Sequence, residues 1–137
     1  MPKNKSLNPI VPDEKIIKAL TKNIIDNKIS CASMLKLADN LRISSLDVGK
    51  AIDFLNAKIC QCQLGLFGHS PEKKIVTPDT NISDNLKKEI IEASIDNTIE
   101  CKSCFKIANT LALKKLNVSC ACEGLKIKIK NCQIGAF

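Results

Sequence analysis

Apolar side chains recur at helical spacing in two neighbouring segments between Ser30 and Ala57. They fall at i, i+4 and i+7 in the first segment and at i, i+3, i+4 and i+7 in the second: Met34, Ala38 and Leu41, then Val48, Ala51, Ile52 and Leu55. This spacing gives each segment one apolar helical face. Ser44 is the predicted N-cap of the second helix, because Asp47 follows it at capping-box distance. The pattern predicts two short helices packed face to face across a tight turn.

The same pattern occurs a second time, seventy residues later. Without a gap, residues 16–67 align with residues 86–137, and identical residues coincide at both ends and in the middle, including Cys31 with Cys101, Ala38 with Ala108, Val48 with Val118, Cys62-Gln63 with Cys132-Gln133, Gly65 with Gly135 and Phe67 with Phe137. We interpret this as an internal duplication. Because a unit of about 60 residues is only marginally stable alone, we expect the halves to pack about a pseudo-two-fold axis.

Within each copy, the apolar positions resemble the helix-turn-helix superfamily. Ala38 is followed by Leu41, Ile43 and Val48 at the spacing typical of that motif, and a small residue at position 38 lets two steeply crossed helices approach closely. The resemblance, to the winged form in particular, implies a DNA-binding unit. The chain departs from the motif in the turn, where Gly is common in the family and Arg42 and Ala112 stand here.

The expected fold is mainly α with short β-strands, built as two tandem winged helix-turn-helix repeats. We divide the chain into an arm at 1–12, a first repeat at 13–68, a linker at 69–83 and a second repeat at 84–137. The arm is Pro-rich and predicted to be mobile, with minor-groove contact as an alternative. Residues 13–27 are the predicted first helix.

Strands are expected after each pair of helices. Residues 58–67 are strand-like, and residues 73–77 are predicted to pair back on residues 58–64 as the second strand of a wing. In the second repeat, Ile129 and Cys132 cannot share a face in regular alternation. We therefore expect a bulge near Asn131.

Composition favours closely packed helices without a membrane span. The 137 residues carry a net charge of +7, are 45% hydrophobic and include no Trp or Tyr. No apolar run approaches the roughly 20 residues of a transmembrane helix, and the first residues lack an apolar signal region. We predict a cytoplasmic protein that does not enter the membrane, with reduced thiols.

The second helix of each pair would present its polar residues to DNA. In the first repeat the candidate contacts are Ser44, Ser45 and Lys50. In the second they are Lys114, Lys115, Asn117 and Ser119, followed by the outward-facing lysines of a strand, Lys126, Lys128 and Lys130. The leading interpretation is a DNA-binding transcriptional regulator.

Charge leaves other functions open. Residues 1–70 sum to +4 and the remainder to +3, so neither half is overwhelmingly basic. A protein-interaction or assembly module on the same fold, with a homodimer or another protein as partner, is the alternative. Catalysis is not expected, because His69 is the single histidine and lies in a turn-like linker.

The eight cysteines suggest two possible metal sites. A set of Cys101, Cys104, Cys120 and Cys122 resembles a zinc quartet, but Cys120 and Cys122 point in opposing directions on a helix and cannot readily chelate one ion. The second set is repeated by the duplication and could gather at the axis to bind zinc or an iron–sulfur cluster, or act as a thiol-based sensor: Cys31, Cys62, Cys101 and Cys132. The alternative for this set is buried thiol pairs.

Overall fold

Residues 13–69 and 73–137 are described by a computed structural model. They form six helices and four short strands: α1 (Glu14–Asn23), β1 (Lys28–Ser30), α2 (Cys31–Leu41), α3 (Ser45–Phe54), β2 (Lys58–Cys60), α4 (Asp84–Ala93), β3 (Thr98–Glu100), α5 (Cys101–Leu111), α6 (Lys115–Gly124) and β4 (Lys128–Lys130). Helices account for 51% of the described residues, so the predicted mainly helical class is confirmed. The predicted arm, residues 1–12, lies outside the described residues.

The paired helices begin and end where the sequence indicates. The Ser44 hydroxyl accepts a hydrogen bond from the Asp47 amide at 3.1 Å, which caps α3. The preceding helix ends at Arg42 in the left-handed conformation, with φ of 55°, and Ala112 ends α5 in the same way. Both turns therefore adopt the backbone conformation that favours Gly, at a steric cost of roughly 1–2 kcal/mol each.

The first helix is shorter than predicted. It ends at Asn23, and Asp26 and Asn27 follow with φ of 52° and 63°. An antiparallel bridge joins Ile25 to Lys28 across them. Two successive left-handed residues make a tight reversal, and Asp and Asn tolerate that conformation better than most residues do. The helical pattern through residue 27 was misleading because this turn returns the chain to form β1.

Each repeat contains one parallel pair of strands rather than a wing hairpin. Ile29 lies opposite Ile59 in the first repeat, and Ile99 lies opposite Ile129 in the second. The predicted antiparallel pairing of 73–77 with 58–64 is wrong. The strand after the helix pair aligns instead with the strand before it, because the two helices form the crossover that a parallel pair needs.

The last residues of each repeat pack into the core of the other repeat. We name residues 61–67 the first tail and residues 131–137 the second tail. Cys62 and Leu64 of the first tail are buried among α4, α5 and α6, whereas Cys132 and Ile134 of the second tail are buried among α1, α2 and α3. The two cores are thus completed reciprocally, which holds the halves together.

The tails themselves are closed loops of the same geometry. The Cys62 amide donates to the Phe67 carbonyl at 3.2 Å, and the Cys132 amide donates to the Phe137 carbonyl at 3.0 Å. Gly65 and Gly135 each have a φ of 78°, which an L side chain rarely adopts.

After each strand, the tail shifts the alternation of buried and exposed residues by one position. Ile129 and Cys132 are both buried, and Asn131 between them has a φ of 52°. The expected change of phase is present, but it occurs where β4 ends rather than as a bulge within it.

The two tails meet equivalent helices with different chemistry. A Cβ at Gly49 of α3 would overlap the carbonyl oxygen of Ile134 in the second tail. At the equivalent position of α6, the Ser119 hydroxyl donates to the Leu64 carbonyl of the first tail at 2.6 Å. The second tail therefore lies directly against the backbone of α3. Between the first tail and the backbone of α6 lies the hydroxyl group of Ser119.

Candidate nucleic-acid interface

Positive charge is concentrated in the later part of the second repeat, residues 101–137. Between residues 101 and 137 there are seven lysines and one acidic residue, Glu123, whereas the equivalent residues 31–67 carry four basic and three acidic side chains. Glu123 is paired with Lys74 of the linker at 2.7 Å. All seven lysines are exposed except Lys115, which is half-buried.

The first turn of α6 presents three of the predicted DNA contacts together. Lys114 and Asn117 are exposed, and the Lys115 ammonium lies 5.0 Å from the centre of the Phe105 ring. That cation–π contact restricts one lysine to the surface between α5 and α6. The amide groups at the N-terminus of α6 add to the positive potential of this turn.

The lysines after α6 point outward as predicted. Lys126, Lys128 and Lys130 are exposed, while Ile127 and Ile129 between them are 7% and 8% exposed. Lys130 lies opposite Glu100 in the neighbouring strand, so its charge is partly offset. Lys126 and Lys128 contribute the stronger positive potential on this edge.

Ser119 is not a surface contact. It is 1% exposed, and its hydroxyl faces the first tail. The helical wheel places Ser119 on the outer side of α6, but the sequence carries no sign that a tail would cover that side. The prediction that Ser119 contacts DNA is therefore wrong.

The linker covers the end of the same helix. The Asp79 amide donates to the Cys120 carbonyl at 2.9 Å, and a Cβ at Gly124 would overlap the Asp79 carbonyl oxygen. The first turn is therefore the part of the outer side of α6 that a partner can reach. Sequence reasoning missed this cover, although a Gly where the first repeat has Phe54 was a signal for close backbone approach.

The candidate contacts of the first repeat are less basic. Ser44 and Lys50 are exposed, and Ser45 is half-buried. The Ser44 hydroxyl already caps α3, and Asp47 and Asp53 are exposed on the same helix. The centre of the outer side, at Gly49, lies under the second tail.

The four repeated cysteines lie near one another, where the tails of the two repeats enter the opposite cores. Each is buried, with 4–8% exposure. Burial raises the pKa of the Cys31 thiol to about 11, and proximity of the other three sulfur atoms, Cys62, Cys132 and Cys101, contributes to the rise. The pKa of Cys101 is raised in the same way, again chiefly by burial, while hydrogen bonds from Gln133 oppose the rise.

These thiols do not form a metal centre in the structure. Across residues 13–69 and 73–137, no group of three or more His, Cys, Asp or Glu side chains has the geometry to hold a metal ion. The Gln133 side-chain amide donates to the Cys101 sulfur at 3.6 Å. Burial raises the pKa of the Cys31 and Cys101 thiols and so favours their neutral form, whereas metals bind the thiolate.

Cys104 and Cys122 form a separate buried pair between α5 and α6. Both are 0% exposed. A hydrogen bond with Cys122 raises the pKa of the Cys104 thiol, and burial raises it further. These positions are occupied by Met34 and Ile52 in the first repeat, so the pair fills the space of two apolar side chains.

The single histidine supports the first tail. His69 Nε2 lies 2.9 Å from the Cys62 carbonyl oxygen. Because a carbonyl can only accept, Nε2 carries the proton and donates. This contact fixes the exit of the chain from the first tail.

Comparison with protein-family models, with curated proteins and with solved structures found no match to this chain. The function of the chain is therefore inferred from its own residues. Among the described residues, no helix is both long enough and apolar enough to cross a bilayer, as expected from the sequence.

Proposed function

We propose that the protein is a DNA-binding regulator with two helix-turn-helix units, in which the second unit makes most of the DNA contacts. The observation that carries this proposal is the concentration of seven lysines against one acidic residue in residues 101–137, with that acid already paired to Lys74. A DNA phosphate backbone attracts such a surface regardless of base sequence.

The manner of approach follows from the covered part of α6. A tail and the linker occupy its middle and end, so DNA would meet its first turn. Lys114 and Lys115 would contact phosphates, and Asn117 can donate to and accept from an adenine edge. Helix-turn-helix proteins commonly use the N-terminal residues of the second helix in this way.

The strand edge would extend the same interface. Lys126 and Lys128 lie beyond the C-terminus of α6, roughly 15 Å from its first turn for a ten-residue helix. This separation exceeds the rise of about 3.4 Å along the helix axis between successive phosphates of one DNA strand, so the two lysine groups would bind different phosphates. We therefore expect the protein to bind several DNA phosphates with an affinity that falls as salt rises.

The test is fluorescence anisotropy of a labelled DNA duplex across a salt series. The wild type should lose affinity steeply as salt rises. Lys114→Ala with Lys115→Ala should weaken binding and reduce the salt slope by about 1 for each phosphate that is no longer neutralised. Lys18→Ala with Lys22→Ala on α1 removes the same charge from the first repeat and is the matched control.

Two results would refute the proposal. One is binding that does not depend on salt. The other is an equal loss of affinity in both double variants, since that would reflect net charge rather than the second repeat. Circular dichroism confirms that each variant is folded before its affinity is compared.

A protein-assembly role is the second candidate, and a repeated exposed side chain favours it. Ile25 is 72% exposed and Ile95 is 71% exposed, at equivalent turns of the two repeats. Light scattering over a range of protein concentrations, repeated with Ile25→Ser and Ile95→Ser, tests it. Self-association that the two Ser substitutions abolish would support this role, and a monomer at every concentration would exclude a homodimer.

A further inference from the structure

A cleft lies across the pseudo-two-fold, on the side where the two strand pairs and the two tails converge. Its volume is about 940 Å³, at the upper end of the range typical of small-molecule sites. Equivalent residues of the two repeats face each other across it: Ala57 with Ile127, Ile59 with Ile129, and Phe67 with Phe137. The cleft is therefore built from the duplication itself and not from a surface irregularity.

The floor of this cleft is apolar and aromatic. The Phe67 and Phe137 rings meet edge to face, with centroids 6.2 Å apart and planes at 83°. Ile127 and Ile129 are buried against it, while Phe137 remains 45% exposed. A hydrocarbon chain would remove this apolar surface from water, which is favourable.

The charged residues of the rim are not symmetric. Lys74 neutralises Glu123 through their 2.7 Å pair. Of the charged side chains on the rim, Asp53, Lys126 and Lys128 remain, and these three side chains sum to +1. Within the described residues, no carboxylate lies within ion-pair distance of Lys126 or Lys128. Two ammonium groups are thus available beside an apolar floor.

We infer that this cleft binds a small amphipathic carboxylate, with its hydrocarbon chain on the Phe67–Phe137 floor and its carboxylate at Lys126 and Lys128. Charge complementarity selects this occupant over an alkyl amine, which would bring a third ammonium to the rim. A peptide is disfavoured because its backbone amides and carbonyls would lack partners on an apolar floor. The inference does not depend on DNA binding.

Isothermal titration of the full chain with three probes of equal chain length tests the ligand class. Octanoate should bind about fivefold more tightly than 1-octanol, a ratio typical of one exposed ion pair, and octylamine should bind most weakly. Equal affinity for the three probes would overturn the inference, and so would tightest binding of the amine.

The duplication supplies substitutions that the fold already tolerates. Lys126→Asn installs the residue of the first repeat, Asn56, at a matching φ: Lys126 has 59° and Asn56 has 56°. Asn accepts this left-handed conformation well. The substitution should lower octanoate affinity about threefold to fivefold and leave octanol affinity unchanged. Lys106→Gln on α5, outside the cleft, removes the same charge and should alter neither.

A steric variant tests the location. Ala57→Ile places in the first repeat the side chain that Ile127 has in the second, and it should weaken octanoate and octanol alike by filling the floor. Ala136→Leu copies Leu66 and serves as a second filling variant if Ala57→Ile does not fold. Unchanged affinity in a folded filling variant, or equal effects of Lys126→Asn and Lys106→Gln, would refute the assignment.

Discussion

The packing of α3 against the second tail gives the sharpest test of the exchanged architecture. Gly49 lies inside α3, where replacement by Ala normally stabilises a helix by about 1 kcal/mol. Here the new methyl group would overlap the Ile134 carbonyl oxygen. The tail must then retreat, or the helix must shift.

The sizes of these opposing effects decide whether Gly49→Ala stabilises or destabilises the protein. Overpacking of this kind costs roughly 1–3 kcal/mol, and complete release of Ile134, which is 3% exposed, would cost about 1.5–3 kcal/mol of hydrophobic burial. The middle of each range exceeds the helix-propensity gain of about 1 kcal/mol. Gly49→Ala should therefore lower the free energy of unfolding by about 0.5–2 kcal/mol, as measured by urea denaturation.

The sign should reverse when the second tail is removed. In a chain ending at Lys130, Gly49→Ala no longer meets Ile134 and should stabilise by up to about 1 kcal/mol. If that truncated chain does not fold, hydrogen exchange of the full chain provides the readout. The Gly135 amide donates to the Cys132 carbonyl at 3.0 Å within the tail, and its exchange should accelerate in Gly49→Ala.

Gly124→Ala is the matched control. It introduces the same methyl group against the Asp79 carbonyl of the linker, so it should destabilise the chain without accelerating exchange of the Gly135 amide. The reasoning would be refuted if Gly49→Ala stabilised the full chain, or if both variants affected the Gly135 amide equally.

Three further predictions follow from the caps, the buried hydroxyl and the thiols. Ser119→Ala should cost about 1–3 kcal/mol in urea denaturation, because it leaves the Leu64 carbonyl without its donor. Ser44→Ala should cost about 1 kcal/mol by the same assay, while Lys114→Ser should gain a similar amount, because Lys114 occupies an N-cap without supplying an acceptor. The pKa of the Cys31 thiol rises from 9.0 to about 11 on folding, so the folded protein retains this proton to higher pH than the unfolded chain does. The stabilising contribution of this thiol is therefore complete below pH 9 and is lost as pH rises through 11. Urea midpoints from pH 8 to pH 10.5 should consequently fall more steeply in the wild type than in Cys31→Ala, and parallel curves would contradict this assignment.

Local features of the fold could be predicted from the sequence because local interactions determine them. Ser44 and Asp47 specify the start of α3, and Ala38 and Val48 are buried where the two helices meet, as their spacing indicates. The prediction extended α1 to residue 27 because the apolar residues beside the Asp26-Asn27 turn are spaced as they would be in one further helical turn. Strand pairing was missed because alternation shows which face is buried but not which strand lies alongside.

The exchange of the tails could not be predicted from the sequence. Cys62, Leu64, Cys132 and Ile134 have the pattern of core residues, and they are buried. However, the two repeats offer cores built from equivalent, mostly aliphatic positions, so hydrophobicity cannot say which core each tail enters. For the same reason, the sequence does not show that the first tail covers Ser119. It therefore does not show that the DNA-binding proposal is limited to the first turn of α6.

The linker converts what would be a domain-swapped dimer into one polypeptide. Reciprocal docking of tails between separate subunits would depend on protein concentration, whereas a tethered pair meets at an effective concentration in the millimolar range. Neither half can separate while its terminal segment remains in the other, so opening of the molecule must begin with withdrawal of a tail.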